Sequence, residues 1–168
     1  MAMVSVPVKE LHVDIFKLME EGTPLLTAGN REGVNTMTVS WGSLGTLWAV
    51  PACTVYVRPQ RYTHQFMDAN DYYTLSFFGP EYKAQMSLCG SKSGRDIDKI
   101  KECGFTLAFT EEEAPYFEEA EMVLVCKKMS SQNFDPAGVQ EQRIHDKYTA
   151  GDFPTMYMGE VVTVLKKA

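Results

Sequence analysis

The period of the apolar positions changes along the chain, and each change marks an element. Residues 8–21, VKELHVDIFKLMEE, place Val8, Leu11, Ile15, Leu18 and Met19 at three- and four-residue spacing, which predicts an amphipathic helix ending at Gly22. From Thr23 the pattern becomes that of strands: TPLLTAGN, the turn-forming NREG at residues 30–33, then VNTMTVSWGSLGTLW, together a β-hairpin. In its second strand Thr36, Thr38 and Ser40 alternate with Met37, Val39 and Trp41, so one face is hydroxyl-rich and the other apolar. A third strand is expected over residues 53–59, stopping at Pro59, with a short helix in RYTHQFMDAN after it. The aromatic run YYTLSFF at 72–78 predicts a fourth strand and residues 81–89 a helix. Residues 90–104 read as a Gly/Ser loop and a helix closed by Gly104. The Glu-rich stretch from Glu111 to Glu121 is expected to be solvated, followed by a strand over 121–129, a short helix near 140–148 and a last strand in TMYMGEVVTVLKK.

Strands outnumber helices and tight turns make most neighbours antiparallel. This favours a closed or nearly closed sheet over a parallel α/β sheet. The absence of G-x-G-x-x-G after a strand, and of G-x-x-x-x-G-K-[ST], agrees with that choice. No repeat, low-complexity linker or second domain is visible, and 168 residues suit one domain over 1–168.

Composition narrows the partners. The chain is 45% hydrophobic and 23% charged, as in ordinary globular proteins. Sixteen Lys and Arg against twenty-two Asp and Glu give a net charge of −6, which opposes binding to nucleic acid or anionic lipid. The N-terminus has no signal-peptide pattern and no apolar run reaches the ~18–20 residues of a membrane span, so a cytoplasmic location is expected. Cys53, Cys89, Cys103 and Cys126 contain no C-x-x-C pair, so no metal site or dithiol motif is signalled and free thiols are expected.

Three segments concentrate groups suited to a planar, phosphorylated ligand. In the first, Asn35, Thr38, Ser40, Ser43 and Thr46 offer donors and acceptors, and Gly42 and Gly45 allow close approach. Taken alone it also reads as a solvent-facing strand with Thr present for β propensity. In the second, RPQRYT at 58–63, Arg58 and Arg61 flank a Pro-fixed turn with guanidinium forks suited to phosphate, or are simply two surface arginines. In the third, SKSGRD at 91–96, the backbone can turn its amides to an anion and Lys92 or Arg95 adds charge, although such loops are also common surface turns.

Taken in order, NTMTVSWGSLGTLW, VYVRPQRYT and CGSKSGRDIDKIKECG resemble the flavin reductase-like FMN-binding split-barrel family, especially its flavoredoxin-type branch, over roughly residues 23–165. The resemblance implies a mainly β fold: an antiparallel Greek-key split β-barrel with a few short flanking helices, forming a homodimer with non-covalent FMN near the interface. It implies that Asn35, Thr38, Ser40, Trp41, Ser43, Leu44, Gly45 and Thr46 meet the ring and ribityl chain. Arg58, Arg61, Tyr62 and Thr63 are implied at the phosphate end, with Cys89, Ser91, Lys92 and Ser93 at the loop that closes over the cofactor. The implied activity passes electrons from NAD(P)H through FMN to flavin, iron or a partner protein, with no side-chain acid or base needed for hydride transfer. An electron carrier without direct NAD(P)H oxidation, or a non-catalytic flavin-binding or sensing module, are the alternatives. One departure favours the carrier: in GDFPTMYMGE, Pro154 stands where relatives often have a His. His145 is the imidazole that could replace it, and His64, next to Thr63, could sit near the phosphate; each also reads as an ordinary surface histidine, as does His12.

Overall fold

The computed structural model describes residues 2–168, and its architecture is organised around the two long apolar strands of the C-terminal half. These are β9 (Met122–Asn133) and β10 (Thr155–Lys167), paired antiparallel, with register shifts at Met158/Gly159 and Val161/Thr163 that bend β10. Beyond β9 lie β6 (Tyr72–Phe77), β2 (Leu25–Asn30) and β3 (Gly33–Thr38). On the other side of β10, β5 (Val50–Val57) pairs with Thr155–Glu160, and β1 (Met3–Val6) pairs with Val164–Lys167. The edge strand β4 (Gly42–Leu47) pairs with β5. The order is therefore β3-β2-β6-β9-β10-β5-β4.

The two ends of that order, β3 and β4, are joined only by Val39–Trp41. Four steps of extended chain reach at most about 14 Å, so the sheet must curl until its ends nearly meet. Closure comes from the chain itself, since no ladder pairs β3 with β4. This is the expected antiparallel split barrel. Leu26, Ala28, Met37, Val55, Leu75, Leu124 and Tyr157 fill its interior, all buried. Among the described residues no helix is long and apolar enough to cross a membrane.

Several elements differ from the sequence expectation. Instead of one helix over 8–21 there is a 3-10 turn at Val8–Glu10 and then α1 (Ile15–Glu20), because Asp14 caps a new start, its carboxylate accepting the Lys17 amide at 3.2 Å. The apolar stripe still packs on the barrel, with Val8, Leu11, Ile15 and Leu18 against the core. The second hairpin strand stops at Thr38, and the chain then crosses to β4 at the opposite end of the sheet. Thr36, on the hydroxyl-rich face, is fully buried and hydrogen-bonded to Thr27 and the Leu26 carbonyl rather than turned to water. The Glu-rich stretch is only partly solvated. It contains β8 (Pro115–Phe117), which pairs with β7 (Leu107–Phe109) and buries Ala114, Phe117 and Ala120, leaving Glu111–Glu113 in solvent.

The β4–β5 hairpin turns through Trp48 and Ala49 with φ of 50° and 64°, left-handed values that ordinarily call for Asn-Gly. Trp48 is 67% exposed, so little packing offsets this. Trp48→Asn combined with Ala49→Gly is expected to raise unfolding stability by about 1–2 kcal/mol, read from the urea midpoint; an unchanged midpoint would show that the turn carries no strain.

Candidate functional site

Three helices pack against β3: α2 (Thr63–Ala69), α3 (Lys83–Ser91) and α4 (Lys99–Cys103). Of these, α4 is bounded by caps on both sides. Asp98 starts α4 by accepting the Lys101 amide at 3.1 Å, and Gly104 ends it at φ 68°. Where they meet, a cavity of about 130 Å³ is lined by Asn35, Met37, residues 60–63, residues 90–94 and Lys99. Asn35, with Met37 beside it, thus brings the first predicted segment to the second and third. Asn35, buried on β3, donates from Nδ2 to Thr63 Oγ1 at 2.8 Å. Gly94 is required beside it, because a Cβ there would overlap Asn35 Oδ1 and press on the Tyr62 ring. The loop is pinned from outside by Arg95, whose guanidinium lies 4.8 Å over the Tyr62 ring and donates to the Gln60 carbonyl at 3.1 Å.

The electrostatics of this cavity are one-sided. Lys99 is only 4% exposed, and its ammonium donates to the carbonyls of Thr36 and Cys89, both at 2.9 Å. No carboxylate among the described residues pairs with it. Burial pulls its pKa below the ordinary lysine value; the Cys89 thiol opposes this and the Arg61 charge adds to it. Half-buried Arg61 is likewise lowered, by burial first and then by Arg58. Two desolvated cations without a counter-ion are costly to hold, and the cost falls when an anion enters. Lys92 stands exposed at the rim.

Arg58 does not share that role. It forms an ion pair with Asp152, which Gln60 also reaches at 2.8 Å, and its guanidinium lies 5.2 Å over the Tyr148 ring. The Arg58 hydrogen bond is the main cause holding the Asp152 carboxyl below its usual range. The turn therefore divides its arginines, Arg58 clasping the segment before β10 and Arg61 remaining free of any ion pair.

The other predicted residues are distributed. Thr38, half-buried at the end of β3, sits against Gly90. Ser40, Trp41, Ser43 and Leu44 line a separate hollow of about 560 Å³ with Ile15, Phe16 and Met19. Gly45 and Thr46 lie further along β4, opposite Ala52 and Pro51. Ser91 turns its hydroxyl back to the Ser87 carbonyl at 2.8 Å, while Ser93 Oγ accepts the Arg95 amide at 3.2 Å. Cys89 differs from its expected place at the cofactor: its thiol is fully buried with Leu25, Phe105 and Phe117, because α3 turns that side toward the sheet, and only its carbonyl serves the cavity. Burial pushes the thiol up to about 12, so at neutral pH it rests as the protonated thiol.

Neither candidate imidazole is free. His64 Nε2 bonds Thr155 Oγ1 at 2.9 Å and its Nδ1 lies 3.2 Å from Asp68, which also accepts from the Tyr157 hydroxyl at 2.6 Å. His145 bonds the Val139 carbonyl at 2.8 Å and stands edge-on to Phe153. Pro154 itself is buried. Gln60, Gly94 and Lys99 lie within the quoted motif segments, but the motifs do not mark any of them individually as a site residue. The one signal for Lys99 is its place directly after the Asp98 cap, since a five-residue helix is too short for its periodicity to tell inward from outward.

A family model described as flavin reductase like domain matches residues 16–167. Among solved structures, flavoredoxin from Methanosarcina acetivorans superposes with a TM-score of 0.70 at 21% identity, covering 86% of this chain and 67% of that one. An FMN-binding domain of a flavin reductases-like enzyme from Shewanella baltica gives 0.68 at 17% identity, covering 98% and 77%. The Streptomyces globisporus NADH:FAD oxidoreductase gives 0.66 at 18%, covering 87% and 74%. No curated protein matches the chain.

Proposed function

The chain belongs to the flavin reductase like domain family, and from that premise we propose that residues 1–168 form one unit that binds FMN without a covalent link and works as an oxidoreductase. The observation that carries the reading is the buried, unpaired Lys99 beside Arg61 in a cavity sized for a small anion. The donor set fits a phosphate: Arg61, Lys92 and Lys99 bring charge, while Thr63, Ser91 and Ser93 bring hydroxyls at its lining. Asn35 holds Thr63 in position. From there the chain leads past Thr38 to Ser40, Trp41 and Ser43 through Thr46, which we assign to the ribityl chain and ring.

When bound, FMN supplies the two-electron chemistry. The protein's residues bind and orient it, and no acid or base side chain is required of them. NAD(P)H is the proposed donor, with free flavin, iron or a partner protein as acceptor. The four free thiols suit a reducing compartment such as the cytoplasm. The open edge of β4 and the exposed Phe16 and Trp41 support a homodimer covering that face, which light scattering at micromolar concentration tests.

A second reading, an electron carrier that keeps FMN and exchanges electrons only with another protein, is favoured by buried Pro154 and by the committed hydrogen bonds of His64 and His145. The anaerobic visible spectrum of the FMN-reconstituted protein separates the two. Bleaching of the flavin band within seconds of adding NADH or NADPH makes it a reductase, a band that persists until dithionite makes it a carrier, and no bound-flavin band removes both. Because Arg61 is free and Arg58 is paired, Arg61→Ala is expected to weaken FMN by about 1–3 kcal/mol in a fluorescence titration, and Arg58→Ala by much less. Equal losses would contradict the division of the turn.

A further inference from the structure

We infer that Cys89 and Cys103 form a site of reversible oxidative modification, closing into a disulfide that locks the loop of the anion cavity and tightens its hold on FMN. The two sulfurs stand 3.6 Å apart, Cys89 near the end of α3 and Cys103 at the end of α4. The chain between them carries the whole loop side of the cavity, from Gly90 through Ser93 and Gly94 to Lys99. A cross-link here therefore brackets the binding loop at both ends.

The surroundings set the order of reaction. Cys53, Cys89 and Cys126 are buried, whereas Cys103 is only partly buried, its sulfur touching Cys89 and lying 3.8 Å from the Gln85 carbonyl. An oxidant therefore reaches Cys103 first, and a disulfide needs the sulfurs to close by only about 1.5 Å. With hydrogen peroxide as oxidant, the Cys103 sulfur attacks one peroxide oxygen. The O–O bond breaks, and the departing hydroxide takes the thiol proton as water, leaving a sulfenic acid. The Cys89 sulfur then attacks the Cys103 sulfur. The S–O bond breaks, and the released hydroxide leaves with the Cys89 proton as a second water. Two thiols lose two electrons, and one peroxide becomes two waters.

The link to the cavity is direct. The Cys89 carbonyl is one of the two acceptors of the Lys99 ammonium, and Ser91, Lys92 and Ser93 come within one turn of it. A loop tethered at both ends is ordered before the ligand arrives, so less ordering is left to oppose binding. This effect on FMN rests on the proposed cavity; formation of the bond does not.

The full-length protein, treated with hydrogen peroxide and then freed of it, should lose the mass of two hydrogen atoms per chain. It should also yield a Cys89–Cys103 cross-linked peptide that dithiothreitol reverses. Tryptic cleavage after the exposed Lys92 and Arg95 should slow, and the FMN dissociation constant should fall by about five-fold. Cys103→Ser should show none of these changes. No cross-link, or one mapped to Cys53 and Cys126, overturns the inference, as does a cross-linked loop that trypsin cuts as fast as before or an affinity that does not rise. If the reduced protein binds no FMN, the functional reading fails, while the peptide map and the cleavage rate still decide whether the cross-link forms and locks the loop.

Discussion

Lys99→Met should weaken FMN binding by about 2–3 kcal/mol, on the order of 100-fold, without lowering the thermal midpoint of the FMN-free protein. The wild-type side chain keeps an ammonium at 4% exposure with two carbonyl acceptors and no carboxylate. In the free protein that arrangement loses the hydration of a charge and recovers only part of it through the two hydrogen bonds. Methionine has a similar length and an adaptable apolar stem, so it fills the space and removes the buried charge. The carbonyls of Thr36 and Cys89 lose a donor, which offsets the gain. With a phosphate present the balance reverses, because the remaining ammonium proton has an anionic acceptor. Fluorescence titration of FMN and melting curves recorded without it test both halves. Unchanged affinity removes Lys99 from the site, and a large drop in the FMN-free midpoint would make it a structural lysine.

Raising the pH above about 9 should destabilise the fold steeply, with Cys89 alone contributing about 4 kcal/mol by pH 12. Its ordinary thiol value is 9.0 and burial pushes it up to about 12 in the folded chain. Between those values the unfolded chain has released the proton and the folded chain has kept it. The folded state therefore binds more protons, and stability falls with rising pH by about 1.4 kcal/mol per unit for each such group. Buried Cys126 and Tyr73 are also raised, burial being the first cause, and they act in the same direction. Lys99 and Arg61, whose values are lowered, oppose them and reduce the net slope. Urea midpoints at pH 8, 9 and 10 should fall in sequence, and Cys89→Ala should flatten the fall. A level profile would mean that water reaches the thiol in the folded protein.

Much of the barrel was legible in the order of residues, because strands and caps are written in short-range pattern. The hairpin of β2 and β3 arises from apolar runs around NREG, with Asn30 opposite Gly33 as the turn demands. The runs at 72–78, 121–129 and 155–167 became the central strands, the second extended to Asn133, and Gly104 closed α4. The motif residues Asn35, Arg61, Tyr62, Thr63 and Ser91 through Ser93 do meet at one cavity.

Tertiary structure decided everything that depends on which distant group a residue finds. Period two reads residues 34–48 as one strand, showing neither its break after Thr38 nor that β3 and β4 lie at opposite ends of the sheet, since alternation encodes a face and not a neighbour. Arg58 and Arg61 are indistinguishable three residues apart until Asp152, 94 positions after Arg58, takes one of them. Lys99 looks like any surface lysine until the curled sheet places β3 over it and leaves its charge unanswered. Local propensity is a sum over adjacent residues and can be read in order. Whether a charge ends paired or alone is set by the closure of the whole barrel, and here that closure leaves an unpaired positive charge where the motifs converge.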